Sequence, residues 1–166
     1  MLLQLLKTNR LALGKWYACG LLVLLSAVWI DGHPARTESG YIPYPGQIEV
    51  RVLNVEAPNR VWVQFETWPG FYRKFRVTLP DIEVPEDSTR VPACERRLAR
   101  KAKSFTENFL TQARHVYVLD MTMEDSASEE ATAPILTERG NLAEALKARG
   151  LARSVQEARR HPWCTE

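Results

Sequence analysis

Residues 47–86, QIEVRVLNVEAPNRVWVQFETWPGFYRKFRVTLPDIEVPE, decide how the chain folds. Apolar side chains alternate at Ile48, Val50 and Val52, then at Val61, Val63 and Phe65, then at Phe75, Val77 and Leu79. That period of two is the signature of strands with one buried face. Ala57-Pro58-Asn59 separates the first two runs, and Thr67-Trp68-Pro69-Gly70 separates the next two, so turn chemistry falls where a three-stranded meander needs it.

Downstream the period changes. Leu98, Ala102, Phe105, Phe109 and Leu110 recur every three to four residues from Cys94, which predicts a helix. Arg96, Arg97, Arg100, Lys101 and Lys103 give it a basic outer face, for which a solvated helix surface is the plain explanation. His115–Met121 alternates again as a fourth strand, and an acidic small-residue loop, MEDSASEEATA, follows. Pro134–Thr137 supplies a short strand whose leading proline suits an edge. Asn141 with Glu144 opens a last helix, with Leu142, Leu146 and Leu151 inward and Gly150 at its stop, and the tail can add another turn or two before Pro162. This order predicts an α+β chain: a five-stranded OB-type β-barrel with about two to three helices, preceded by an N-terminal hydrophobic helix.

Upstream, Trp16–Ile30 is free of charge, with Lys7, Arg10 and Lys15 before it and Asp31 after it. The positive flank orients the N-terminus to the cytoplasm and the rest outside. Residues 1–30 therefore read as a signal anchor or a signal peptide: no convincing cleavage site follows, and the run is short for a full span. The expected location is anchored in the inner membrane with the domain in the periplasm, or otherwise outside the cytoplasm; secretion after cleavage is the alternative. Residues 31–46, with three prolines and three glycines, read as a tether, and 47–166 as the folded domain.

Charge and cysteines narrow the partners. Three of the 22 Lys and Arg precede residue 31, which leaves 19 against 20 acidic residues and a net charge of −1 for the exported part. A domain that grips nucleic-acid phosphates is normally basic, so nucleic acid is not the favoured partner. Cys94 and Cys164 are the only cysteines outside the apolar run. In an oxidising compartment such a pair favours a bridge, and without CxxC or nearby histidine spacing it makes a poor zinc site.

Several segments in order resemble the thermonuclease (staphylococcal nuclease) family over about residues 47–164: WPG before the third strand, LPDIEVPE beside the family's R-L-x-G-I-D-A-P-E, ACERRLARKAKSF beside its C-E-x-E-x-x-x-A helix, NLAEALKARGLAR, and the terminal PWC. The resemblance places both cysteines at family positions, which supports their pairing. It also implies calcium-dependent phosphodiester cleavage by two aspartates, a glutamate and two arginines. Most of these are replaced. Asn59 stands at the first aspartate, Thr78 at the first arginine, Glu83 at the second aspartate and Glu130 near the second arginine, while Glu86 alone is retained. Asp81 could join a displaced metal site with Glu83 and Glu86, and Arg76, on the strand face of Thr78, could replace the missing arginine.

The expectation is a degenerate family member, a pseudo-nuclease without cofactor that acts as a binding or assembly module with an envelope protein partner and meets the membrane through its N-terminal segment. Two alternatives stay open: a divergent calcium-dependent nuclease acting on extracytoplasmic DNA or RNA, and a binder of single-stranded nucleic acid. Trp62 should face away from Val61 and Val63, either as an exposed binding aromatic or packed from the opposite side.

Overall fold

The computed structural model describes residues 41–164, which fall in one unit, Ser39–Glu166. The expected N-terminal hydrophobic helix and residues 31–40 of the tether lie outside the described residues. Two strand segments in series begin the fold, β1 (Tyr41–Glu49) and β2 (Arg51–Ala57), joined at the buried Val50. The first six residues of β1 belong to the stretch read as tether. Pro43, Pro45 and Gly46 obscure the strand, but its ladder to β6 (Val116–Met123) accommodates them with register shifts at Tyr44 and Gln47. Gly46 has φ +82, and its N–H donates to Asp120 Oδ1 at 2.7 Å.

From β2 the antiparallel ladder runs to β3 (Arg60–Trp68) and β4 (Phe71–Thr78), the predicted meander. β4 then pairs in parallel with β7 (Glu130–Thr132), and β7 meets β6 at Thr132↔Thr122. The pairings therefore lead from β2 around to β6 and back to β1. β7 falls inside the stretch read as a loop: three residues with one inward side chain, Ala131, carry no alternation to detect. β8 (Ile135–Thr137) and β9 (Gly140–Asn141) extend the sheet beyond β6. A separate two-stranded ladder joins β5 (Ile82–Glu83) to β10 (Arg153–Ser154). The described residues thus contain ten strand segments where five strands are expected. The sheet curls into a half-barrel, and with three helices the class is α+β.

The helices are α1 (Ala93–Thr111), α2 (Leu142–Ala148) and α3 (Val155–Ala158). Asn141 caps α2 by accepting from Ala143 N–H at 2.8 Å, and Ser154 and Glu157 form a reciprocal box at α3. α1 buries Ala99, Ala102, Thr106, Phe109 and Leu110, so its inner face is turned slightly from the predicted one and Leu98 and Phe105 are half-buried.

Alternation places Val61, Val63, Phe75 and Val77 in the core with no measurable exposure, together with Val118, Met121, Ile135, Leu142 and Leu146. Phe65 and Phe75 stack at 5.2 Å, and Tyr44 meets both edge-on at 5.1 and 5.9 Å. Cys94 and Cys164 are bonded, with Cα atoms 6.4 Å apart, slightly beyond the usual mode.

Candidate functional site

Three segments meet at an open pocket of about 620 Å³. The first is the Pro58-Asn59 turn between β2 and β3. Pro58 is buried, and its carbonyl accepts from Thr106 Oγ1 at 2.8 Å, which pins the turn to α1. Asn59 is held from the other side, its carbonyl accepting from Leu79 N–H at 2.9 Å. The second segment is the loop that follows β5. Ile82 and Pro85 turn inward and leave Glu83 and Glu86 exposed. Glu86 N–H donates to Glu95 Oε1 at 3.1 Å, and Asp87 pairs with Arg100 at 3.2 Å, so α1 fixes the far end of this loop. The β5–β10 ladder fixes the near end. The third segment is the α1 face carrying Ala99, Arg100 and Lys103.

Asn59, Glu83 and Glu86, predicted from their spacing in the family pattern, thus share one cavity. Asp81 does not line it. It is exposed, with φ +58, in the left-handed region that glycine takes freely and other residues take at a cost. Thr78 stands in a cross-strand row between Arg60 and Thr132. Among the described residues no three His, Cys, Asp or Glu side chains are grouped so as to hold a metal ion.

Arg76, Glu130 and Trp62 form a second constellation beside the pocket. Arg76 is the register partner of Trp62 on β3 and of Glu130 on β7, so all three leave the outer face of the sheet. Arg76 Nε donates to Glu130 Oε2 at 2.9 Å, and Nη2 pairs with Glu130 Oε1, a bidentate contact. Its Nη1 reaches Glu56 Oε2 at 3.3 Å. Glu56 also accepts from the Trp62 indole N–H at 3.1 Å and from Arg60 at 3.3 Å. Glu130 is the leading cause of a raised Arg76 pKa. Partial burial pushes Glu56 up, but hydrogen bonds from Arg76 and Trp62 outweigh it and hold the carboxyl below its usual range.

Trp62 is half-buried, and its ring lies 5.7 Å from the Arg76 guanidinium. It is neither a freely exposed aromatic nor a core residue, but a wall of this ionic cluster. Glu56, which links cluster and pocket, has no motif to announce it; its place follows only from strand pairing. Arg100 and Lys103 were legible as one basic helix face, yet nothing in their spacing tells that the face borders a cavity. The hairpin tip carries another unanticipated feature: Trp68, Phe71 and Tyr72 are all largely exposed.

The pocket offers carboxylates and cations in near balance, with Arg60 committed to Glu56 and Arg100 to Asp87. Such a lining can take a polar ligand of mixed charge, and it presents no convergent set of free cations to a phosphate. Comparison of the chain with protein-family models and with curated proteins finds no match.

Proposed function

We propose that the chain is a thermonuclease-like domain on a five-stranded OB-type barrel that has lost phosphodiester cleavage and serves as a binding or assembly module of the cell envelope, anchored through its N-terminal segment. The strands expected for the barrel correspond to β1 and β2 as one bent strand, β3, β4, β6 and β8, with β7, parallel to β4 and paired to β6, as an additional segment that links β4 to β6. Asp81 supports the family alignment: its left-handed backbone occurs where the family motif has glycine. The Cys94–Cys164 bond supports an oxidising compartment.

One observation carries the loss of activity. Arg76, the candidate replacement for the missing arginine, is bound bidentately by Glu130 and also by Glu56. A phosphate approaching it would have to displace two carboxylates, and its own charge would be repelled by both. Losing one preorganised charge partner commonly costs about 2.7–4 kcal/mol of transition-state stabilisation. The test is turnover. Full-length protein in detergent with calcium and single-stranded DNA should give no cleavage above that of Glu86→Gln. Calcium-dependent degradation that Glu86→Gln abolishes would refute the reading.

A further inference from the structure

We infer that the β3–β4 hairpin tip, Trp68-Pro69-Gly70-Phe71-Tyr72, is a lipid-contact element that seats one end of the domain on the membrane from which the chain emerges. The inference rests on the anchored reading above. Trp68, Phe71 and Tyr72 are 70, 66 and 61% exposed, well beyond Leu53 at 40%. Three large rings crowd one turn, Trp68 and Phe71 on one face of the hairpin and Tyr72, the register partner of Glu66, on the other, unlike the scattered exposed apolar residues of ordinary surfaces. The tip is a formed turn: Gly70 has φ +83, its N–H donates to Glu66 Oε1 at 2.5 Å, and Thr67 Oγ1 donates to the Phe71 carbonyl at 3.3 Å. Trp68 and Phe71 are register partners and so leave the same face of the hairpin. Tryptophan and tyrosine are the side chains that settle at the membrane–water interface, the ring body among acyl chains and the N–H or O–H among headgroups.

The position of the chain's first described strand selects lipid as the occupant. Tyr41 pairs with Met123, at the end of β6. The loop after Met123 supplies the Ser126 and Ser128 carbonyls that accept from Arg73, each at 3.1 Å. Tyr44 packs 5.1 Å from Phe65, close before the tip. The start of β1 and the aromatic tip therefore lie at the same end of the sheet. Only residues 31–40 separate Tyr41 from the apolar run ending at Ile30. Even fully extended they reach at most about 36 Å, comparable to the diameter of a domain of this size. A domain held by that run is attached at its aromatic end.

Charge sets the character of the contact. Arg73 and Lys74 adjoin the rings, but exposed Glu66, Glu124, Asp125 and Glu129 occupy the same end. Anionic headgroups are therefore not the attraction; the rings are, and the contact should survive added salt.

The experiment uses the full chain reconstituted in phosphatidylcholine vesicles whose acyl chains are brominated near the headgroup. Emission of Trp68 is isolated as the difference between wild type and Trp68→Phe, a substitution that keeps an apolar ring, and that of Trp62 by Trp62→Phe. Bromolipid should quench Trp68 about twofold or more while sparing Trp62, with or without added salt, as expected for an interfacial ring. If the chain floats with the vesicles but Trp68 is unquenched and open to iodide, the inference fails while anchoring stands, and the patch is left to a protein partner. Quenching that salt abolishes would overturn the ring-driven contact. A chain that does not float with vesicles overturns the anchored reading and this inference together.

Discussion

Replacing Cys94 and Cys164 together by serine should cost much of the stability of the described unit. The bond spans a sequence separation of 70, for which the chain-entropy relation gives about 15 cal/mol/K of unfolded-state entropy, or about 4.4 kcal/mol at 25 °C. Residues 41–164 unfold with an entropy of roughly 0.26 kcal/mol/K near their midpoint, so Tm should fall by about 17 °C. The loss should begin locally. α3 contributes no buried residue, and the chain beyond it is held by Arg153, which donates to the His161 and Pro162 carbonyls at 3.2 and 3.1 Å and covers the Trp163 ring at 4.3 Å. With the bond gone, the C-terminal turn should open first and then β10, which is paired to β5 at Glu83. Circular dichroism melts of the full chain in detergent, oxidised, reduced and as the double variant, measure the global term, and amide exchange at Glu83 and Arg153 measures the local one. A fall of less than about 4 °C, roughly 1 kcal/mol, would refute the entropic argument. Unchanged exchange at Glu83 would refute the link between the bond and the pocket loop.

Thr106→Val keeps the side-chain volume but leaves the buried Pro58 carbonyl without its 2.8 Å donor, which should cost about 1–3 kcal/mol in chemical denaturation and broaden the NMR signal of Asn59. Phe75→Ala empties the centre of the Tyr44–Phe65–Phe75 cluster and should cost about 3–5 kcal/mol by the same measurement. Glu56 has a folded pKa below its ordinary 4.5, so its contribution is fully present above pH 4.5 and is lost as pH falls through the lower folded value. Wild-type Tm should therefore decline relative to Glu56→Gln as pH drops below 4.5; parallel profiles would show that the cluster contributes nothing.

Much of the fold was legible where one side chain in two is apolar. The runs through Val61–Phe65 and Phe75–Leu79 fixed two strands and their inward faces, and Asn141 with Glu144 marked a helix start. Segments that carry little apolar surface of their own were not legible. β7 is held by pairing on both sides and needs only Ala131 inward, and the proline-rich start of β1 is a strand because β6 supplies the partner. The pocket followed the same division. Asn59, Glu83 and Glu86 line the pocket from a turn and a loop whose proline chemistry is visible locally, whereas the meeting of Arg76 with Glu130 depends on a parallel register between residues 54 positions apart. Sequence brought each to notice separately, one as a substitute cation and the other as a misplaced anion; only the register makes them neutralise one another.

The return of the ladder from β7 through β6 to β1 has a consequence for a chain made from its N-terminus. The β2–β3–β4 meander is complete at Thr78, but the free edge of β4 has no neighbour until Glu130–Thr132 is made. At roughly 5–20 residues per second the delay is about 3–10 s. β1 waits as well, since its partner β6 begins only at Val116. During that interval Val61, Val63, Phe75 and Val77 line one face of a sheet with open hydrogen-bonding edges, a template for pairing with another nascent copy. Shielding that face during those seconds favours correct closure, so co-expression of a chaperone that binds extended apolar segments should raise the yield of folded protein.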